Sequence, residues 1–430
     1  MKSGRCLYVS AIVLALVVGL GLWNPMHVKA NPDPTPRFRV DPFWPKPLPA
    51  PVGGDGVAHK WVTGEVAGSC TDANDNVYTF NRGFQSGGLV GQDATPAGAI
   101  PSPPVVVYSP EGRVITAWGN PSHNPDGSNA YMPNGAHGCF VDYQGNLWVG
   151  GNGDGVVQKY NPATAAAQGA NATFVAQIGM KGMCDGPCGE TNSTNSSKTL
   201  LNDPPDIAVD PKPDPVTNTP GSVYIADGYG NHRVVVFTTT DGINYTYNRQ
   251  FGTKCTTAGF GQCPAGTFGA TGGGHPHCVV LGNDDLVYAC DRPDSRIEVF
   301  TKKGTFVKEI PIDKFPHATA ANKAAILLAA NRACDMDFYP NIDYLASQSP
   351  TQQKYIVNVD LQSDNTYLLK TTGEAVFAFG RCGFAPCPGH NAGEFAYGHM
   401  TNVDSKGNVY ISETITGRRI QKFVRVDDNE

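Results

Sequence analysis

Three histidines share one phase in this chain of 430 residues. His137 stands ten residues before Leu147, His277 ten before Val287, and His399 ten before Val409. Imidazoles that recur in register are carried to equivalent places by whatever repeat holds them. Three that converge with one coordination position left open make a metal site of the catalytic type. His123, His232, His275 and His390 fall outside that phase and read as loop residues, with His275 a candidate for supporting a ligand. Other side chains recur at the ends of the runs that follow. Arg82 comes five residues after Val77, Arg292 five after Val287, and Tyr229 six after Val223. An arginine can fork onto a carboxylate. A tyrosine beside a metal and a guanidinium releases its proton more easily and can serve as a base. Beside a metal held by His137, His277 and His399, these three form a substrate clamp and a proton carrier.

The elements that position them are written most clearly in Gly273–Phe300. Two apolar runs, HCVVL and LVYAC, flank a polar Gly-Asn-Asp-Asp turn, the signature of a β-hairpin. RIEVF and GTFVKEI supply a third and a fourth strand. Four antiparallel strands in about 40 residues make one propeller blade. The same text recurs near 68–80, 137–151, 206–237, 335–380 and 399–423, which makes six copies. The spacing therefore predicts an all-β, six-bladed β-propeller over 56–430. His137, His277 and His399 then come from blades 2, 4 and 6 and project into the channel about 120° apart. The last copy stops at three strands, leaving an open edge. The strand-like Phe38-Arg39-Val40, in an otherwise extended segment over 31–55, is expected to close it. The stretch 319–334 has helical composition and reads as a small insertion between blades 4 and 5.

Lys2 and Arg5 precede an apolar run over Leu7–Leu22, and Val28-Lys29-Ala30 suits cleavage, so 1–30 reads as a signal peptide. Without those three basic residues the chain keeps 29 Lys and Arg against 38 Asp and Glu. An acidic balance with no basic stripe excludes a nucleic-acid partner. Once the signal is cleaved, no stable membrane span is expected. Fifty Gly and 34 Pro mark many turns between short strands. Twelve cysteines agree with a secreted or periplasmic address. Cys184/Cys188, Cys255/Cys263 and Cys382/Cys387 can close within loops, and Cys278 should face Cys290 across its hairpin; eleven cysteines remain after cleavage, so at least one lacks an intramolecular partner. GNGDGV at 151–156 imitates a phosphate loop but opens no helix, and DANDN at 72–76 is a hairpin turn rather than a complete calcium loop.

FNRG (80–83), AHGCFVD (136–142), ADGYGNHRVVVF (226–237), PHCVVL with CDRPDSRIEVF, and GHMTNVDSKGNVYI resemble NHL repeats, and as a set resemble the peptidyl-α-hydroxyglycine α-amidating lyase domain. The resemblance spans nearly the whole chain after the signal. It implies zinc on His137, His277 and His399, a catalytic Tyr229, and functional Arg82 and Arg292. It also implies cleavage of the C–N bond of a carboxylate-bearing small-molecule or peptide α-hydroxyglycine to an amide and glyoxylate, with a separate monooxygenase supplying that substrate. The family's structural Ca2+ would use the carbonyls of Ser69 and Cys139 and an Asp after the third histidine, where this chain has Met400. Its cysteine after the catalytic tyrosine is Gly230 here. Two other readings accompany the lyase: a non-catalytic NHL propeller that binds a protein or glycan, and a propeller metalloenzyme acting on another hydroxy acid or lactone.

Overall fold

Every expected hairpin is present, and each extends into a four-stranded antiparallel sheet. In this computed structural model the described residues are 35–83, 99–119, 132–165, 172–189, 194–257, 262–269, 273–312, 333–340, 353–361, 363–380 and 389–426. The signal-like segment, most of the helical insertion, His123 and Cys382/Cys387 lie outside them. Blade 1 starts with Val66–Thr71, blade 2 with Ala136–Val141, blade 3 with Asp206–Asp210, blade 4 with Val279–Leu281, blade 5 with Asp335–Tyr339 and blade 6 with Gly398–Val403. These innermost strands line the axis, and strand order runs outward from them in each sheet.

Burial follows strand rank. Second strands such as Val77–Asn81, Ser222–Asp227 and Val409–Glu413 are buried at every residue, because each blade is covered by a neighbour on both faces. Outermost strands such as Phe306–Pro311 alternate with solvent, as half-covered strands do. The apolar interior is six clusters, one in each gap between adjacent blades. Tyr224 and Val236 of blade 3, for instance, pack on Val287 and Phe300 of blade 4.

Arg37–Val40 pairs antiparallel with Arg419–Val426, so blade 6 is completed by an early piece of the chain. This segment also fills two gaps. Phe38 packs against Tyr339 and Phe379 between blades 5 and 6, with ring centroids 5.4 and 5.1 Å away. Trp44 packs against Tyr410 and Tyr108 between blades 6 and 1, at 5.0 and 5.5 Å.

In blades 3, 4 and 6, a carboxylate ending the second strand takes an arginine that opens the third. The pairs are Asp227–Arg233 at 2.9 Å, Asp291–Arg296 at 3.0 Å and Glu413–Arg419 at 2.8 Å. Four disulfides occur among the described residues. Cys184–Cys188, Cys255–Cys263 and Cys278–Cys290 are those expected, while Cys70–Cys139 joins the innermost strands of blades 1 and 2. Cys334 is a buried free thiol.

Candidate metal centre

His137, His277 and His399 meet on the axis. Their ring centroids are 4.6 to 5.1 Å apart, and ligand atoms from all three lie within 4.8 Å of one another. All three are buried. Each stands at or just before the start of an innermost strand, where side chains enter the channel.

The blades in between complete the arrangement. His137 Nδ1 lies 3.0 Å from the Pro205 carbonyl, His277 Nδ1 2.6 Å from that of Cys334, and His399 Nδ1 2.7 Å from that of Ala67. Those acceptors belong to blades 3, 5 and 1. A carbonyl can only accept, so this network assigns the proton of each neutral ring to Nδ1 and leaves the Nε2 lone pair facing the axis. A second ligand shell of this kind orients a metal-binding imidazole. Burial, followed by the neighbouring histidines and arginines, drives the pKa of His137 well below its usual value. Burial and Arg292 do the same to His277, and burial with Arg82 takes His399 down to about 3. Neutral rings with converging lone pairs are what a divalent ion needs. The fit demands close blade packing: a Cβ on Gly138 would stand 2.5 Å from the Pro205 carbonyl oxygen that receives His137.

Tyr229 and Arg292 join the histidines. The Tyr229 hydroxyl is 3.2 Å from His277 Nε2 and 3.4 Å from His137 Nε2, and it accepts a bond from Arg292 Nη1 at 3.0 Å. Arg292 Nη2 donates to the Gly273 carbonyl at 2.7 Å. Arg82 reaches the same mouth in a different state. Its Nε donates to Ala136 O at 3.0 Å, its Nη2 to Gly135 O and Asn152 Oδ1, and its Nη1 reaches Glu65 at 3.4 Å. That guanidinium is already shared among four oxygens, two of them on the two residues that precede His137. His275 is turned toward Asp291 (2.5 Å) and its ring stacks on His232, so neither faces the axis; His390 is exposed.

Deeper in the channel the residues do not fit the calcium site that the resemblance implies. Ser69 and Cys139 line the cavity, but Met400 is a buried thioether where a hard cation requires oxygen. The carboxylates present are Asp206, Asp335 and Asp337, from blades 3 and 5. Each accepts a main-chain N–H from the next described blade, Val279, Thr401 and Val403 respectively, at 2.7 to 2.9 Å. They line a cavity of about 150 Å³, and no basic side chain is among its described lining residues. Burial pushes Asp206 and Asp337 up to about 7 and Asp335 well above its ordinary range. Sequence reasoning missed these three. The signal was an Asp opening the first strand of both non-histidine blades 3 and 5.

No protein-family model matches the chain. Peptidylglycine alpha-amidating monooxygenase of Rattus norvegicus is 26% identical over 262 residues, covering 57% of this chain and 22% of the rat protein, so the chain spans about a fifth of that relative. Among solved structures, a protein of unknown function from Bacteroides thetaiotaomicron superposes with a TM-score of 0.51 at 13% identity, covering 91% of this chain and 77% of its own. Virginiamycin B lyase from Staphylococcus aureus aligns over 84% of both chains at 13% identity with a TM-score of 0.40. The chain is thus a six-bladed β-propeller with a distant likeness in sequence to the rat amidating monooxygenase.

Proposed function

We propose that this protein is an exported zinc-dependent carbon–nitrogen lyase of the amidating-lyase type. Its substrate would be an α-hydroxyglycine-like compound bearing a carboxylate, split into an amide and glyoxylate. The observation that carries this reading is the Tyr229 hydroxyl lying within 3.4 Å of two imidazole Nε2 atoms while Arg292 donates to it. The rat relative supports amidating chemistry, and the disulfides support an oxidising compartment. No helix among the described residues is long and apolar enough to cross a membrane.

His137, His277 and His399 would hold the metal, and a bound zinc would supply Lewis acidity toward the carbinol oxygen. Arg292, at the rim beside Tyr229, receives the substrate carboxylate. Tyr229 takes the carbinol proton as the C–N bond breaks and the carbon–oxygen double bond forms. That proton passes to the departing amide nitrogen, so the products are a neutral amide and the aldehyde of glyoxylate. Arg82, with its nitrogens engaged on Gly135, Ala136, Asn152 and Glu65, braces the strand that carries His137 and leaves carboxylate recognition to Arg292.

Metal analysis of the purified protein followed by glyoxylate release from α-hydroxyhippurate tests this directly. His277→Ala should lose metal and turnover together. Tyr229→Phe should keep the metal and lose kcat by on the order of 10²-fold or more. Arg292→Ala should act chiefly on KM. Metal without turnover sinks the lyase reading in favour of a binding propeller, and turnover of lactones alone would move the chemistry to another substrate.

A further inference from the structure

Tyr229 is held from below by a residue in another loop. The segment around Leu201 and Asp203 runs under the turn Asp227–Gly230, and Asn202 between them is fully buried. The Asn202 side chain plugs the small loop closed by Cys184–Cys188. Its Nδ2 donates to the carbonyls of Pro187 and Asp185 at 3.1 and 3.4 Å, and its Oδ1 accepts the Gly189 N–H at 3.3 Å. Its main chain grips the tyrosine turn. The Asn202 N–H donates to Asp227 Oδ1 at 2.7 Å, and its carbonyl accepts the Gly230 N–H at 2.9 Å. The next carbonyl, of Asp203, accepts the Tyr229 N–H at 3.3 Å. The contact is tight enough to exclude a side chain: a Cβ on Gly230 would stand 2.0 Å from Asn202 Oδ1 and 2.1 Å from its Cγ.

We propose that Asn202 is a positioning residue for Tyr229, holding the hydroxyl beside the imidazoles of His137 and His277 through its packing against Gly230, with the Cys184–Cys188 loop as backing. This rests on the reading of Tyr229 as the proton carrier. Gly230 has no side chain that could tie the turn covalently, so packing against Asn202 is what holds it at this residue. The effect on rate is large because a displacement of about 1 Å at a reacting group costs on the order of 10²-fold.

A size-swap series on the full chain tests it: Asn202→Ala, Gly230→Ala and the double variant. Asn202→Ala frees the turn, whereas Gly230→Ala drives a methyl into the amide. In the double variant the methyl at position 230 takes the space that the amide vacates, so the clash is gone and the turn is packed again. Each single change should lower kcat for α-hydroxyhippurate by on the order of 10²-fold, with KM and zinc content near those of the parent. The double variant should recover a large part of the Gly230→Ala loss. Parent-like kcat in Asn202→Ala, or a double variant no better than Gly230→Ala, overturns the proposal. Asn202→Ser replaces Asn202→Ala if the latter does not fold. A second readout is independent of turnover: the near-UV change on adding zinc to chelated protein, less the same change in Tyr229→Phe. That tyrosine signal should be present in the parent and shrink in Asn202→Ala. If the parent shows it yet releases no glyoxylate, the lyase reading fails and the positioning role is judged on this signal alone. A missing signal in the parent, or an undiminished one in Asn202→Ala, refutes the role of Asn202.

Discussion

Each axial imidazole has one nitrogen committed to a carbonyl and the other facing its two counterparts, so the folded protein resists protonating any of them. His399 titrates at about 3 in the native fold against about 6.5 in the unfolded chain. Below 6.5 the unfolded state therefore takes up protons that the native state refuses, and stability contributed at neutral pH is lost as pH falls toward 3. Chelated parent protein should show a falling Tm over that window, with a shallower slope for His399→Ala. Identical slopes would falsify the assignment of neutral rings. The three histidines, Tyr229 and Arg292 were legible in the sequence because side chains in repeat register announce themselves. The carbonyls of Ala67, Pro205 and Cys334 were not, since a main-chain acceptor leaves no trace in residue identity. Nor could spacing show that Arg82 is shared among four oxygens, because that depends on how the loop at Gly135 and the turn at Asn152 fold back over it.

Three of the blades are held to their shape by the pair that links the end of the second strand to the start of the third. In blade 3 the pair is closed to water: Arg233 and Asp227 are both 0% exposed, and Asp185 lies 3.4 Å from the same guanidinium. Arg233→Ala leaves two carboxylates buried without their cation, which costs about 3–5 kcal/mol. Removing Lys370 from its exposed pair with Glu374 in blade 5 should cost under about 1 kcal/mol. Equilibrium denaturation of the two variants distinguishes them, and similar losses would show that burial does not set the strength of these links. At this scale hairpins were the most readable feature. Alternation and turn residues marked them locally, and Cys278–Cys290 followed from one hairpin's register. Cys70–Cys139 was hidden because its partners meet only when blade 1 stacks on blade 2.

The ring is shut by a short strand with an aromatic on either side of it. Phe38 and Trp44 are each less than 8% exposed and sit in the two gaps that flank blade 6. Truncating either to Ala should lower stability by about 3–5 kcal/mol. Any metal bound at the axis should be retained at low temperature, since neither residue contacts the axial histidines. A drop in metal occupancy without a drop in Tm would overturn that separation. The need for this strand was visible in the sequence as a missing fourth strand in the last copy. That Trp44 crosses to blade 1 while Phe38 faces blade 5 was not visible, because each depends on which face of blade 6 the segment runs along.

The three axial imidazoles come from the second, fourth and sixth sheets, so no single sheet supplies more than one of them. A growing chain that has built four sheets owns two of the imidazoles and lacks the wall that would bring them together. A cation gripped by all three imidazoles could therefore be held only once the sixth sheet has joined the ring. Any ion acquired by an unfinished chain would sit on a pair of loosely held donors and exchange freely.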